Sequence, residues 1–245
     1  DLKMFAEIRI SWMLLFLITT ANALKQLEEY GEISNSMIVI WVAQTLYTNA
    51  CMKGEECIPT TWDIFHEKFG WMLIYWNSEL PFLYALQSYY IYTNNISIST
   101  VGFIILLSVL SVAYYVWDTA NSQKNRFRMQ QRGTYIKRKW AYPQFEWGTL
   151  EDPKYMTTRA GSKLLVDGWW KVARKIHYTA DLAMALVWAV CCGYESFIPY
   201  FYFCFFLTHL IHRVNRDTIR CKQKYGEDWD KYCEMVPYIF IPYIY

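Results

Sequence analysis

Residues 99–120 read STVGFIILLSVLSVAYYVWDTA, and the run Val101–Val116 within them is nearly free of polar groups. A helix needs about 20 mostly apolar residues to cross the hydrocarbon of a bilayer. Ser99–Ala120 meets that length and is read as a membrane span. Outward from it, Ile10–Leu24 and Ser36–Met52 are shorter and span with tilt or with flanking aromatics. Trp71–Tyr92 is long enough, but Asn77-Ser78-Glu79-Leu80-Pro81 predicts a break. Ala180–Ile211 is too long for one span. Gly193-Tyr194-Glu195-Ser196 in its middle, with Pro199 following, predicts a tight helical hairpin. Five or six membrane segments are expected, and the fold class is an all-α, polytopic transmembrane helical bundle.

The composition agrees. Of 245 residues, 54% are hydrophobic, the mean hydropathy is +0.03, and 12 Trp, 21 Tyr and 14 Phe are present. A single soluble core of this length cannot hide so many rings, which excludes a soluble globular domain and disorder. A net charge of +2 implies no nucleic-acid partner. Seven cysteines, an odd count without CxxC, read as reduced and mostly buried thiols. The chain opens on Asp1 without an initiator Met, a signal n-region or a cleavage site, so a fragment is expected.

Charge is unevenly placed. Residues 121–178 carry thirteen Lys and Arg against four Asp and Glu, and Arg213–Lys231 is again basic. Both regions belong on the cytosolic side by the positive-inside rule, and topology alone explains basic loops in many membrane proteins. The spacing says more. Asn121, Lys124 and Arg128 lie at i, i+3, i+7, one helix face. Arg174, His177 and Asp181 repeat that spacing, and Arg213, Asp217, Cys221 and Lys224 follow at i, i+4, i+8, i+11. Charges near a bilayer face a wet cavity or one another. Three such faces can converge on one cationic pocket suited to a polyanion such as a nucleotide, with Trp169, Trp170, Tyr178, Tyr225, Trp229 and Tyr232 to stack on its rings. The plainer reading is three unrelated helix ends snorkelling to water.

GxGxxG, GxxxxGK[ST] and GxSxG are all absent. His209 and His212 form HxxH without a carboxylate at ligand spacing, so no metal site is expected. Glu195 falls in the expected hairpin turn and reads as structural. Glu79 is either an intramembrane functional acid or part of a surface turn. Asn95-Ile96-Ser97 is a glycosylation sequon in a loop short enough to stay unmodified.

Leu210–Cys233 reads LIHRVNRDTIRCKQKYGEDWDKYC. It resembles the C-terminal signature of the sterol reductase family, HRxxRDxxxCxxKYGxDWxxYC. Lys163-Leu-Leu-Val-Asp-Gly-Trp-Trp170, Asn121-xx-Lys-xx-Phe-Arg and the final Ile-Pro-Tyr-Ile-Tyr resemble further blocks of that family. Ala173-Arg-Lys-Ile-His-Tyr-Thr-Ala-Asp181 departs from the commoner Arg-His-Pro-Asn-Tyr version. With Gly-Glu-Glu-Cys-Ile-Pro-Thr-Thr-Trp-Asp at 54–63 and the extended Arg132–Arg159 loop, it is similar to the fungal C-24(28), or delta(24(24(1))), sterol reductase branch.

The resemblance implies the C-terminal half of a roughly ten-span fold in the endoplasmic reticulum membrane, acting in the last step of ergosterol synthesis. Residues 1–245 would be one partial transmembrane reductase domain, with a basic cytosolic region at 121–178 and a cytosolic cofactor-binding segment at 213–245. The N-terminal signature ending in Asn-Pro-Arg would precede Asp1. It implies NADPH held by Lys124, Arg128, Leu165, Trp170, His177, Tyr178, Arg213, Asp217, Cys221, Lys222, Gln223, Lys224, Tyr225 and Tyr232. The implied partners are a sterol substrate, the lipid bilayer and other sterol-biosynthesis enzymes.

An alkene conjugated to no carbonyl must be protonated before hydride adds to it, so a general acid is needed beside the substrate. A carboxyl kept protonated by burial, or a Tyr hydroxyl, would supply the proton; Asp217, in the cofactor block, is the first candidate, and Glu79 and Tyr89 or Tyr90 follow. Three rivals stand beside this reading. They are reduction at C-14 or C-7 of the sterol nucleus, an isoprenylcysteine-type membrane methyltransferase, and a non-catalytic nuclear-membrane scaffold.

Overall fold

The computed structural model describes residues 5–55, 71–136 and 149–242. Cys57, most of the 54–63 motif, residues 137–148 of the Arg132–Arg159 loop and the last three residues of the C-terminal motif lie outside the described residues.

A π-helical turn, Glu7–Trp12, leads into α1, Met13–Tyr30, which stops at Gly31. There φ is +78° and the Gly31 N–H closes on the Leu27 carbonyl at 3.0 Å, the left-handed stop that glycine makes without strain. Helix α2, Asn35–Lys53, starts under a cap in which the Ser34 hydroxyl accepts from the Met37 N–H at 3.2 Å.

Helix α3 runs unbroken over Trp71–Asn94 with Pro81 inside it, so the break expected at Asn77–Pro81 does not form. Proline removes the N–H that would bond the carbonyl four residues back, here that of Asn77. Buried Ser11 supplies the missing donor: its hydroxyl lies 3.0 Å from that carbonyl and 3.0 Å from the Asn77 side-chain oxygen. A neighbouring side chain thus satisfies the gap, and Glu79 stands exposed on a helix rather than in a turn.

Helix α4 covers Thr100–Arg132. Its 33 residues rise about 50 Å, some 20 Å more than a bilayer's hydrocarbon core, so the basic residues from Asn121 onward continue the span as helix. An all-helical fold is corrected next by two short antiparallel strands, β1 (Tyr155–Thr157) and β2 (Lys163–Leu165), with Tyr155 opposite Leu165. The turn between them closes through the Thr158 N–H on the Ser162 carbonyl at 2.9 Å, with Gly161 at φ +77°. Lys163 Nζ lies 4.5 Å from the centre of the Tyr155 ring across the pair.

Helices α5 (Trp169–Val172), α6 (Ile176–Val190), α7 (Phe201–Tyr225) and α8 (Glu227–Met235) follow. Between α6 and α7 the helix breaks as expected around Gly193, at φ +78°, whose carbonyl accepts from the Tyr200 hydroxyl at 3.0 Å. Glu195 is exposed in that connection.

Among the described residues two helical stretches, Arg9–Tyr30 and Thr100–Arg132, are long and apolar enough to cross a membrane, against the five or six segments expected. Helices α2 and α3 have the length but carry polar residues. These residues are buried and used inside the protein: Gln44 accepts from Thr19 and donates to the Tyr84 carbonyl, and Gln87 donates to the Pro199 carbonyl.

The chain divides into two compact units, Asp1–Leu110 with Met184–Phe203, and Ser111–Ala183 with Cys204–Tyr245. The first has an aromatic core: the Tyr84 ring lies 4.5 Å from Tyr202, 5.7 Å from Trp188 and 6.1 Å from Trp12, centre to centre. The second holds every residue assigned above to a cofactor.

Candidate functional site

The second unit builds a site from α4, the β2–α6 segment and α7–α8. On α4, Gln123 accepts from the Trp169 N–H at 2.9 Å, and Thr119 accepts from the Trp169 indole at 2.7 Å. The Trp170 indole donates to the Ala120 carbonyl at 2.9 Å, and the ring packs with Phe127 and Leu165 in a small core. Gly168 makes this docking possible. Its φ is +56°, and a Cβ there would lie 2.5 Å from the Gln123 side-chain oxygen. Asp167 fixes the strand end, accepting from the Gly168 N–H at 2.8 Å and the Lys154 N–H at 3.1 Å. Those two bonds hold its carboxyl below the usual carboxylate range.

Charge is then stacked on this platform. Lys124 Nζ lies 4.0 Å from the Trp170 ring centre, and the His177 ring lies 5.0 Å from Trp170 and 4.2 Å from Tyr178. The fields of Lys124, Lys175, Arg213 and Arg128 all fall on His177. Its Nδ1 is buried and has no hydrogen-bond partner among the described residues. Four cations acting on one buried ring, with an unsatisfied ring nitrogen beside aromatic faces, are chemically able to hold an anionic, ring-bearing molecule.

Helix α7 brings Asp217 to Lys175, and the two form an ion pair. Burial pushes the Asp217 carboxyl up. The charge and hydrogen bond of Lys175, with Lys124 behind, outweigh that push and leave it below its ordinary value. The protonated carboxyl expected from burial alone is therefore corrected: this aspartate is held ionised. Cys221 Sγ is 4.0 Å from Asp217 Oδ1, and Lys224 reaches Cys221 electrostatically. Lys222, Gln223 and Lys224 are exposed; Lys222 pairs with Asp230 at 3.3 Å, and Lys224 Nζ lies 4.9 Å from the Tyr225 ring. Tyr225 stacks on Trp229 at 6.4 Å, and buried Tyr232 lies 5.3 Å from Trp229. Burial pushes the Tyr232 hydroxyl up to about 12.

One expected face is not formed as drawn. Helix α6 begins only at Ile176, so helical spacing does not aim Arg174. The Arg174 and Lys175 N–H groups instead bond the carbonyls of Tyr238 and Ile239 at 2.9 and 2.8 Å. The Arg174 guanidinium turns to Cys233 and the Pro237 carbonyl. Lys175, its unremarked neighbour, enters the charge cluster in its place. The sequence signal missed was the helix start, and Thr119 and Gln123 were missed because neither carries a charge. Glu79, Tyr89 and Tyr90 belong to the first unit. Tyr89 is exposed beside Tyr92 at 6.3 Å, and Tyr90 is half-buried.

Comparison with known proteins decides the lineage. Residues 1–245 match the family described as Ergosterol biosynthesis ERG4/ERG24 family. The chain belongs to this sterol reductase family. The chain is 46% identical over 247 residues to Delta(24(24(1)))-sterol reductase erg4A of Aspergillus fumigatus, covering 99% of itself and 52% of that protein. It is 43% identical over 252 residues to Delta(24(24(1)))-sterol reductase of Gibberella zeae, covering 100% and 41%. It is 37% identical over 247 residues to Delta(14)-sterol reductase erg24 of Schizosaccharomyces pombe, covering 100% and 55%. The chain thus spans about half the length of the curated relatives it matches.

Proposed function

We propose that the full-length protein reduces the C-24(28) side-chain double bond of a sterol with NADPH, at the endoplasmic reticulum membrane and as the last step of ergosterol synthesis. In this reading residues 121–178 and 213–245 are the cytosolic coenzyme-binding part. The observation that supports it is that Lys124, Lys175, Arg213 and Arg128 all act electrostatically on His177, whose ring lies beside Trp170 and Tyr178, with Lys124 over the Trp170 face. The donor set fits a dinucleotide. The cations suit phosphates, the aromatic faces suit bases, and the buried His177 Nδ1 lacks a partner that a bound polar group would supply. The choice of C-24(28) follows the two fungal relatives named for that specificity.

Lys124, Arg128 and Arg213 would hold the phosphates, with Leu165, Trp170, His177 and Tyr178 against the rings and ribose. Bound there, the reduced nicotinamide supplies hydride. Asp217, ionised by Lys175, serves as a hydrogen-bond acceptor rather than a proton donor. Glu79 and Tyr89 or Tyr90 remain the candidates to protonate the alkene. Reduction at C-14 is the second reading, favoured by the fission-yeast relative.

Expressing the full-length protein in yeast lacking its C-24(28) reductase and profiling sterols by gas chromatography tests the choice. C-24(28)-unsaturated sterols should fall and ergosterol reappear. Rescue of a C-14 reductase-null strain alone overturns it in favour of the second reading.

A further inference from the structure

Asp217 raises a difficulty. An ionised carboxylate sits within a cation cluster that would receive a polyanion, and like charges placed together repel. Its surroundings answer the difficulty with a specific partner. Lys175 Nζ pairs with Asp217 Oδ2, and both side chains are largely withdrawn from water, 15% and 32% exposed. The Lys175 backbone is itself pinned, its N–H to the Ile239 carbonyl at 2.8 Å and its carbonyl to the Tyr178 N–H at 2.8 Å. The other charged or titratable groups acting on Asp217 are Lys124 from α4 and Arg220 on its own helix, with Cys221 beside it. Lys124 already lies over the Trp170 ring. The opposite oxygen, Oδ1, has the Cys221 thiol at 4.0 Å beside it and can accept a bond from a ligand hydroxyl.

Resting on the coenzyme reading above, we propose that Lys175 is a positioning residue: it neutralises Asp217 towards the coenzyme phosphates and turns Oδ1 to a ribose hydroxyl. Lys175 never reaches the reacting atoms. It acts through Asp217, so its loss exposes a carboxylate charge to the incoming phosphates. Two readouts separate this from simple structural support. Removing the Asp217 charge as well should repair the defect, and so should protonating it.

The test uses full-length protein in detergent, with binding of 2′,5′-ADP, a coenzyme fragment that cannot transfer hydride, followed by the rise in melting temperature. Lys175→Met should weaken binding about tenfold, the effect of roughly one lost charge–charge contact of 1.4 kcal/mol. Lys175→Arg should stay within about twofold of wild type. The double variant Lys175→Met/Asp217→Asn should recover most of the lost affinity. The affinity deficit of Lys175→Met relative to wild type should also shrink from pH 7.5 to pH 5.5, a ratio in which the titration of the ligand's own phosphates cancels. If Lys175→Met melts without ligand far below wild type, Lys175→Gln is measured in its place. Wild-type-like affinity in Lys175→Met or Lys175→Gln overturns the inference, as does a double variant no better than the single. Wild-type protein that ignores 2′,5′-ADP and shows no NADPH-dependent sterol reduction overturns the coenzyme reading itself.

Discussion

At the scale of the residue, two positions hold the site's geometry by means the sequence hardly advertises. Gly168 reaches φ +56° beside Gln123, where a Cβ would have to push the Gln123 amide aside. Gly168→Ala combines the left-handed backbone cost with a displaced Gln123, and should destabilise by about 2 kcal/mol. In a detergent melt that is a fall of roughly 5 °C, and an unchanged melting temperature would show that the turn relaxes freely. The Asp217–Lys175 pair gives the pH dependence. The folded-state carboxyl lies below its ordinary value of 3.8, so the pair's contribution is fully present above that value and is lost as pH falls through the lower folded one. Wild type should therefore lose melting temperature faster than Lys175→Met/Asp217→Asn below about pH 4. Parallel curves would mean that the pair contributes nothing to folding.

At the scale of the element, periodicity was a good guide wherever the chain is helical and a poor one at helix starts and inside proline-bearing runs. The face of Asn121, Lys124 and Arg128 was legible because α4 is continuous through it, and so was the face of Arg213, Asp217, Cys221 and Lys224 on α7. Arg174 was misplaced because it precedes its helix by two residues. The hairpin of β1 and β2 was invisible because three-residue strands carry no pattern to count. Helix α3 survives Pro81 because Ser11, distant in sequence, supplies the missing donor, and no local rule reports a distant donor. This yields a two-by-two prediction. Ser11→Ala should cost about 1–2 kcal/mol by stranding the Asn77 carbonyl. In a Pro81→Ala background, where the residue-81 N–H returns to that carbonyl, the same change should cost under about 0.5 kcal/mol. Equal costs in both backgrounds, read from thermal melts, would show that Ser11 has some other role.

At the scale of the whole molecule, the membrane class was legible in the aromatic and apolar content, while the number of spans was not. Counting apolar residues cannot distinguish a helix that meets lipid from one whose Gln44 or Gln87 is satisfied inside the protein. Orientation is better determined, since it depends on where Lys and Arg lie. Helix α4 leaves its apolar half at Ala120 and carries Lys124, Arg126, Arg128 and Arg132 beyond it, and the segment that follows stays basic. Translocating that density of positive charge is disfavoured, so the proposed reading places the C-terminal end of α4 in the cytosol. Ile136, 71% exposed just beyond that end, is a suitable place for a site-specific protease sequence. In sealed microsomes carrying the full-length protein, added protease should cut there without detergent. Cleavage that appears only after detergent would put the cationic cluster on the lumenal side, away from the cytosolic coenzyme pool, and would end the proposed chemistry at that site.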